Sequence, residues 1–277
     1  MHDLWLHEKN TEGYGVKWRI TEVLHSEKTP YQELAVVDTL EWGRALLLDG
    51  AIQITEKDEF IYHEMISHIA MNSHPNPQRV LIIGGGDGGV LRELCRHRRL
   101  QVVDMVEIDA RVVENSKRFF PAVASAFSDS RLNLYFEDGL AFVKNVQDKY
   151  DVVIVDSCDP VGPAVELFSE TFYRDLYNIL NDDGIAVVQS ESPVFYQQTF
   201  VSTHSHLASV FPIVRVYLAP VPTYVSGPWS FTAGSKKYEP AQLAENHENF
   251  ADLKYYDKNV HSAAFALPKY INNLITK

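Results

Sequence analysis

The chain has 277 residues, 45% of them hydrophobic, a size that suits one large core or two unequal domains. Its 37 acidic and 25 basic residues give a formal net charge of −12, which argues against a nucleic-acid partner, because a phosphate backbone calls for a basic face. Two cysteines are too few for a disulfide framework or a four-ligand zinc site. No signal peptide and no run of 18 apolar residues is evident, so we expect a cytoplasmic protein without a membrane span.

Residues 1–55 are predicted to form a small antiparallel sheet of hairpins. Short segments with partly alternating apolar residues are separated by turn signals at Trp42-Gly43 and Asp49-Gly50. We place a domain boundary here, between this hairpin domain and a larger domain, residues 56–277.

A helix is predicted next, because apolar residues recur at helical spacing after residue 59. Thr55 and Asp58 have the spacing of a capping box at its start, and Pro75 and Pro77 end it.

From residue 79, apolar strands alternate with helices. The predicted strands are RVLIIGG, QVVDMVEID, LNLYFED, YDVVIVDSCDP and GIAVVQSES. This alternation predicts an α/β, Rossmann-like fold with a mostly parallel sheet covered on both faces. A helix that Asp183-Gly184 stops precedes the last of these strands, an antiparallel hairpin of PIVRVYLAPV and WSFTAGS completes the sheet, and a terminal helix begins near Pro268.

Acidic residues recur where the predicted parallel strands end. In chain order they are Asp87, Glu107 with Asp109, Asp138, and Asp156 with Asp159. Ligands of open α/β sheets bind beyond the carboxyl ends of the strands, so these acids predict a ligand site at that edge. Their charge suits a cationic ligand.

The glycine-rich turn after the first of these strands predicts a nucleotide or nucleoside site. Gly84, Gly86 and Gly89 have the G-x-G-x-x-G spacing between a strand and a helix. This spacing does not choose between NAD, a flavin and an S-adenosyl compound. Asp87 within the turn weakens a dehydrogenase interpretation, because its charge would face a pyrophosphate, which an S-adenosyl compound lacks.

Two further strand ends suggest contacts to a nucleoside. Glu107, 23 residues after Gly84, has the position of an acid that accepts both hydroxyls of a ribose. The alternative role, a helix N-cap, fits Asp109 better than Glu107. Asp138-Gly139 could meet an adenine amino group, although a helix N-cap is an equally good interpretation of Asp138.

Five blocks of sequence, in order from about residue 4 to 270, resemble the polyamine aminopropyltransferase family, which includes the spermidine synthases. They are LLLDGAIQITEKDEFIYHEM, VLIIGGGDGGVLREL, VDSCDPVGPA, PTYVSGPWSFTAGS and HSAAFALPKY. The resemblance implies a β-hairpin domain followed by a Rossmann-like, methyltransferase-type domain, assembled as a homodimer or homotetramer. It also implies transfer of the aminopropyl group of decarboxylated S-adenosylmethionine to putrescine, giving spermidine and methylthioadenosine, with no permanently bound cofactor and no metal.

The resemblance assigns roles to three acids. Asp156 accepts a proton from the attacking amine, whose pKa of about 10.4 makes a base valuable at neutral pH. Asp159 binds the amine. Asp87 binds the ammonium of the donor and repels the carboxylate of intact S-adenosylmethionine, at a cost of roughly 4 kcal/mol for like charges about 4 Å apart.

The resemblance also implies contacts that spacing alone does not suggest. They are Gln32 and Pro163 for the nucleoside, Tyr62, His63 and Tyr224 for the amine, and Gln53 as a weaker candidate. We expect a phenol ring and a neutral imidazole, at Tyr62 and His63, to contact a diamine. Without the resemblance, Tyr62 would be a core residue of the apolar helix face.

Two other functions fit the sequence less well. One is an S-adenosylmethionine-dependent methyltransferase of the same fold, and the other is a polyamine-binding protein without catalysis. The acceptor stays open within the family, because cadaverine, agmatine or spermidine would suit a site of similar charge.

Overall fold

A small antiparallel sheet forms the N-terminal part of the protein, whose computed structural model describes residues 4–158 and 162–276. Its strands are β1 (Leu4–Lys9), β2 (Gly15–Lys28), β3 (Glu33–Thr39), β4 (Gly43–Leu48) and β5 (Ala51–Thr55), and they pair in sequence order. Asp49 and Gly50 connect β4 to β5 with φ values of 49° and 81°, the two positive values that a type I′ hairpin turn requires. The predicted hairpins are therefore confirmed.

The second sheet has seven strands with helices on both faces. Its strands are β6 (Arg79–Gly84), β7 (Val102–Glu107), β8 (Leu132–Phe136), β9 (Tyr150–Asp156), β10 (Leu180–Gln189), β11 (Ile213–Ala219) and β12 (Trp229–Ser235). The α-helices are α1 (Glu59–Ser73), α2 (Gly89–Leu94), α3 (Ala110–Phe119), α4 (Gly139–Asn145), α5 (Glu170–Ile179), α6 (Gln197–Ala208), α7 (Lys258–Ala264) and α8 (Lys269–Ile275). Within the described ranges, no helix is long and apolar enough to cross a bilayer.

The strand order of this sheet places a switch point beside the glycine-rich turn. The order is β11-β12-β10-β9-β6-β7-β8, with the five strands from β10 to β8 parallel and β12 antiparallel to both of its neighbours. From β6, the middle one of the five parallel strands, the chain proceeds to β7 on one side, and β9 lies on the other. Ligands of such sheets bind at this point. The predicted α/β fold with its antiparallel hairpin is confirmed.

The two faces of β6 show how the core is built. Val80 and Ile82 pack with α1 and α2, whereas Leu81 and Ile83 pack with α5 on the opposite face. All four side chains are buried. Because successive strand residues point to opposite faces, a continuous apolar run is what a strand between two helical layers requires.

One predicted boundary is wrong. The helix α5 ends at Ile179 rather than at Asp183-Gly184, and β10 begins at once with Leu180. The pairing of β10 with β9 shifts register between Leu180 and Ile185, so Asp183-Gly184 form an irregularity inside the strand. Turn-forming residues here mark a bulge rather than a loop.

The predicted capping box at the start of α1 is also wrong. Asp58 precedes the helix, but its side chain makes no capping hydrogen bond. Its carboxylate instead accepts hydrogen bonds from the Thr55 hydroxyl at 2.6 Å and from the backbone and hydroxyl of Thr223 at 2.9 and 2.7 Å. A distant partner therefore outcompetes the local cap.

Three helices in the C-terminal third of the chain can be compared with the prediction. The terminal helix α8 follows Pro268 as predicted, whereas α6 and α7 were not predicted. The domain boundary after residue 55 stays a prediction, although β5 ends at Thr55 and α1 begins at Glu59.

Candidate active site

A cavity of about 740 Å³ lies at the switch point of the large sheet, and the small sheet provides part of its wall. Its volume is typical of a site for a small molecule. Ten of the predicted site residues line it: Gln32, Gln53, Tyr62, His63, Asp87, Glu107, Asp138, Gly139, Asp156 and Tyr224. Asp159 and the side chain of Pro163 lie outside the residues that the structure describes, so their predicted roles stay predictions.

The glycine-rich turn lies directly against the end of β9. Gly84 and Gly85 have φ values of 83° and 71°, and Gly85 donates its N–H to the Asp156 carbonyl at 2.9 Å. A Cβ atom on Gly84 would lie 2.1 Å from that carbonyl oxygen. Glycine is therefore required both for the backbone conformation and for the close approach of the two strands.

Asp156 has the environment of a proton acceptor. The Tyr62 hydroxyl donates a 2.6 Å hydrogen bond to its Oδ1 atom. Burial and then the Asp87 carboxylate raise the pKa of Asp156 to about 6, although the charge of His63 and the Tyr62 hydrogen bond both lower it. A carboxyl group with this pKa is ionised at neutral pH, yet it is more basic than an exposed aspartate.

Asp87, which is partly exposed, and the buried His63 form an ion pair beneath the start of α2. The Asp87 Oδ1 atom lies 3.2 Å from His63 Nε2 and accepts the Gly89 N–H at 2.6 Å. The His63 Nδ1 atom lies 2.6 Å from Glu59 Oε2. Burial lowers the pKa of His63, but the carboxylates of Asp87 and Glu59 outweigh it and raise that pKa to about 10. The raised pKa favours a protonated ring here, in place of the neutral imidazole that the sequence led us to expect.

These groups converge on a small volume that suits a cation. One ligand atom each from His63, Asp87 and Asp156 lies within 4.8 Å of the others. In its protonated form the imidazole carries an N–H on each nitrogen and offers no lone pair, so the negative charge at this point comes from the two carboxylates. The two carboxylates remain, and they suit an ammonium group.

Glu107 ends β7 with a largely buried carboxyl group that faces the cavity. Its Oε1 atom accepts the Asp109 N–H at 2.8 Å, and burial raises its pKa to about 7 against the lowering effect of that hydrogen bond. A Cβ atom on Gly86 would lie 2.7 Å from Glu107 Oε2, so the turn and this carboxylate are in direct contact.

Asp109 has the structural role that its position predicted. It caps α3 by accepting the Arg111 N–H at 3.0 Å. Its Oδ2 atom accepts hydrogen bonds from the Gln32 amide at 2.9 Å and the Thr29 hydroxyl at 2.8 Å. Asp109 thus orients Gln32 at the wall of the cavity and ties the small sheet to the large one.

Asp138 combines both of its predicted interpretations. Its Oδ1 atom caps α4 by accepting the Leu140 N–H at 2.8 Å, and the same residue lines the cavity. A Cβ atom on Gly139 would lie 2.6 Å from Ile83 Cγ2, so only glycine lets the helix start this close to β6.

Aromatic rings form the wall near Asp156. The Tyr62 ring lies edge-on to Tyr224 at 5.8 Å between centroids, and Tyr224 contacts Trp229 at 4.7 Å. The Tyr224 hydroxyl donates to the Gln53 carbonyl at 2.6 Å, whereas the Gln53 side chain donates to the Ala51 carbonyl at 3.3 Å. The contribution of Gln53 to this wall therefore includes its backbone.

Two features were missed from the sequence, one on the cavity wall and one in contact with it. Gln189 lines the cavity at the end of β10, and its amide donates to Ser157 O at 3.2 Å and to Glu191 Oε1 at 3.4 Å. Glu191 is buried and has a φ of 64°, which is uncommon for a non-glycine residue and frequent at functional sites. It is another acid just beyond a strand end, and the rule used for the other four parallel strands would have found it.

The first hairpin of the small sheet also reaches the cavity. Glu8, Lys9 and Asn10 line it, and the Tyr196 hydroxyl donates to the Asn10 carbonyl at 2.8 Å. Tyr14 stacks on Phe195 at 4.8 Å between ring centroids and donates to the carbonyl of the residue after Tyr224 at 3.1 Å. This contact fixes the hairpin against the loop that carries the aromatic wall.

A Rossmann-like sheet with an acid-lined cavity at its switch point is the arrangement of an enzyme that binds a small molecule at the carboxyl ends of its strands. Residues 59–246 match the family model described as the spermine/spermidine synthase domain, and residues 4–56 match the spermidine synthase tetramerisation domain. The chain therefore belongs to the spermine/spermidine synthase family and is an enzyme.

Individual relatives agree with this assignment over almost their whole length. A polyamine aminopropyltransferase of Moorella thermoacetica is 48% identical over 99% of this chain and 97% of its own, and that of Bacillus subtilis is 42% identical over 99% and 100%. Crystal structures of spermidine synthase from Thermotoga maritima and of a spermidine synthase with the transition-state analogue AdoDATO superpose with TM-scores of 0.91 and 0.94. They are 35% and 36% identical, and each alignment covers 98% of this chain and 94% of the other.

Proposed function

We propose that the chain transfers the aminopropyl group of decarboxylated S-adenosylmethionine to putrescine, giving spermidine and methylthioadenosine. The observation that carries this proposal is the pairing of Asp87 and Asp156 at the end of a nucleoside-sized cavity, with carboxylate and imidazole ligand atoms within 4.8 Å. A donor with a sulfonium and an ammonium, and an acceptor with two amines, are the cationic groups that this pair would recognise.

The donor would lie along the carboxyl ends of β6, β7 and β8. In this arrangement Glu107 accepts the ribose hydroxyls, Gln32 contacts the nucleoside, and Asp138 with Gly139 faces the adenine. Asp87 then meets the ammonium of the aminopropyl tail. Gly89 and His63 both contact Asp87 through Oδ1, so that atom is fixed when the donor arrives.

The acceptor would enter beside Tyr62 and Tyr224, whose rings can cover the methylene groups of a diamine. Asp156 takes a proton from one ammonium, and the freed lone pair attacks the propyl carbon next to the sulfonium. As the new C–N bond forms, the C–S bond breaks and its electron pair stays on sulfur, which leaves as a neutral thioether. No general acid is needed. Asp159 is proposed to bind the amine.

Asp156→Asn tests the role of the base. We expect a loss of at least about a hundredfold in kcat, measured as methylthioadenosine formed from the decarboxylated donor, because general-base catalysis contributes on this scale. The matched control is Asp151→Asn on the same strand, whose carboxylate accepts the backbone N–H groups of Gln78 and Arg79 away from the cavity. A change below about threefold in Asp156→Asn would contradict the assignment.

The alternative functions are separated by labelled donors. A methyltransferase would move a methyl label from intact S-adenosylmethionine, whereas an aminopropyltransferase moves a propyl label from the decarboxylated donor. A polyamine-binding protein without catalysis would move neither label. A panel of diamines of graded length would then show whether putrescine is the preferred acceptor.

We also propose a cytoplasmic homo-oligomer, either a dimer or a tetramer, with the small sheet at the interface. The match to the tetramerisation domain supports this assembly, as do the exposed apolar side chains Leu4, Trp5 and Val23 on β1 and β2. Light scattering of the purified protein measures the oligomeric state, and a monomer would contradict the proposal.

A further inference from the structure

A row of alternating charges extends from the cavity into the space between α1 and α2. It begins with Asp87 and continues through His63 and Glu59 to Arg92. The Arg92 guanidinium donates to both Glu59 oxygens, at 2.9 and 2.8 Å, and its Nε atom donates to Glu93 at 2.7 Å. Glu59 and His63 are buried, so solvent screens this row poorly.

The geometry fixes which groups His63 can serve. Its Nδ1 atom makes a hydrogen bond with Glu59 at 2.6 Å, whereas its buried Nε2 atom lies 3.2 Å from Asp87 Oδ1 as an ion-pair contact without an aligned hydrogen bond. Only the protonated ring carries N–H groups on both nitrogens. A neutral ring with its proton directed to Glu59 would therefore offer Asp87 neither a charge nor an N–H.

We propose that Glu59 and Arg92 are positioning residues for aminopropyl transfer, because they hold His63 as a charged ring that orients Asp87 toward the ammonium of the donor. This inference rests on the proposed function for the identity of the donor. Neither residue needs to touch a substrate, since each acts through His63.

The charged and titratable neighbours of His63 determine how the row responds to pH. They are Glu59 and Tyr62 on α1, Asp87 after β6, Asp156 at the end of β9 and, behind Glu59, Arg92 on α2. Glu59 itself has a pKa lowered to about 2, because the hydrogen bonds and charges of His63 and Arg92 outweigh its burial. With Glu59 ionised, the raised pKa of His63 keeps its charge until the pH rises toward about 10.

Glu59→Gln removes the negative charge that retains the second proton of His63. The pKa of the ring then falls, and the ring loses its charge within the range of the assay. Once His63 is neutral, Asp87 loses the partner that holds its carboxylate toward the donor. Under this proposal, the loss of orientation outweighs the removal of a positive charge beside the site, so binding of the donor ammonium weakens as the ring loses its proton with rising pH.

The experiment compares the KM for the decarboxylated donor in Glu59→Gln and in the unaltered protein between about pH 6.5 and 9. The ratio of the two values cancels the titration of groups common to both proteins, such as Glu107. We expect the KM of Glu59→Gln divided by that of the unaltered protein to rise about five- to tenfold over this pH range. The kcat of the variant should differ from that of the unaltered protein by less than about threefold. Glu59→Asp, which keeps the charge, should give a ratio that does not vary with pH.

Glu64→Gln is the matched control. Glu64 is a buried carboxylate on the same helix, but it accepts backbone N–H groups of Lys254, Tyr255 and Tyr256 rather than facing the site. Its loss removes structural hydrogen bonds without changing the charge beside His63, so its KM ratio should be independent of pH. A ratio in Glu59→Gln that is equally independent of pH would overturn the proposal.

Imidazole ¹⁵N chemical shifts provide a readout that needs no turnover. In the unaltered protein we expect both nitrogens of His63 to be protonated at pH 8, and in Glu59→Gln we expect one of them to lose its proton below pH 9. A neutral His63 in the unaltered protein at pH 8 would overturn the inference even if the variant fails to fold. If instead the His63 shifts are as expected but no decarboxylated donor is consumed, it is the proposed function that fails.

Discussion

Asp87→Asn should reduce the preference of the enzyme for the decarboxylated donor over intact S-adenosylmethionine. The two compounds differ by the carboxylate next to the amine, which in the proposed complex lies beside Asp87. Asparagine keeps the size of the side chain and can still accept the Gly89 N–H, but it removes the charge that attracts the ammonium and repels the carboxylate.

The magnitude depends on His63 as well as on Asp87. An isolated carboxylate about 4 Å from Asp87 would be repelled by roughly 4 kcal/mol at an effective dielectric constant of about 20, which corresponds to about a thousandfold. The positive ring of His63, whose Nε2 atom lies 3.2 Å from Asp87 Oδ1, offsets part of this repulsion. At a distance of about 7 Å its attraction is roughly 2 kcal/mol, which leaves about 2 kcal/mol or roughly thirtyfold.

The assay measures the KM of the decarboxylated donor and the inhibition constant of intact S-adenosylmethionine in the same reaction. We expect the inhibition constant of intact S-adenosylmethionine, divided by the KM of the decarboxylated donor, to fall by about ten- to fiftyfold in Asp87→Asn. Asp138→Asn is the matched control, since a contact to adenine should affect both compounds equally and leave the ratio unchanged. An unaltered ratio in Asp87→Asn would refute the assignment of Asp87 to the donor tail.

Two further predictions concern the titration of the site. Tyr62→Phe removes a hydrogen bond that lowers the pKa of Asp156, so the acid limb of kcat, expected near pH 6, should move upward by about one unit; a pH–rate profile with an unmoved limb would contradict this. Glu107 has a pKa of about 7 and binds hydroxyls best when ionised, so in the unaltered protein the donor KM should decrease as the pH rises through 7. In Glu107→Gln this decrease should disappear, and the donor KM at pH 8.5 should be about tenfold higher than in the unaltered protein. Donor KM values measured across that range test this, and a decrease that persists in the variant would exclude Glu107 as its source.

The convergence of the acids on one edge could be predicted because it follows from topology. Parallel strands share the direction of their carboxyl ends, so acids that end separate strands must meet at one edge of the sheet. Asp87, Glu107, Asp138 and Asp156 all line the cavity for this reason. The same logic applied to the fifth parallel strand finds Glu191, which contacts the wall residue Gln189 but does not itself line the cavity.

The charge of His63 could not be predicted from local sequence. Glu59 lies four residues before it on the same helix face, which the helical period suggests, but Asp87 reaches it only through the tertiary fold. The pKa of the ring reflects both carboxylates and its burial together. A prediction from residue type alone therefore gives the neutral imidazole of an isolated histidine.

The wrong boundaries have a similar cause. Asp58 has the right spacing for a capping box, yet its partner Thr223 is 165 residues away. Asp183-Gly184 have the composition of a turn, but β10 pairs with β9 both before this irregularity, at Leu180, and after it, from Ile185. Its pairing with β12 also begins at Ile185. In both places tertiary contacts override a local preference, and no local pattern signals the override.

The first hairpin contacts the loop around Phe195, so the small sheet helps to form the wall of the cavity in addition to the interface role that we propose for it. Tyr14 and Asn10 brace the strand-end loops that follow β10 and β11, and in the proposed complex these loops border the entrance for the amine. Chimaeras that exchange this sheet between relatives should consequently inherit the amine preference of the sheet's parent together with its quaternary structure. Evolution of acceptor choice in this fold is then open to substitutions far along the chain from the acids to which we assign the transfer.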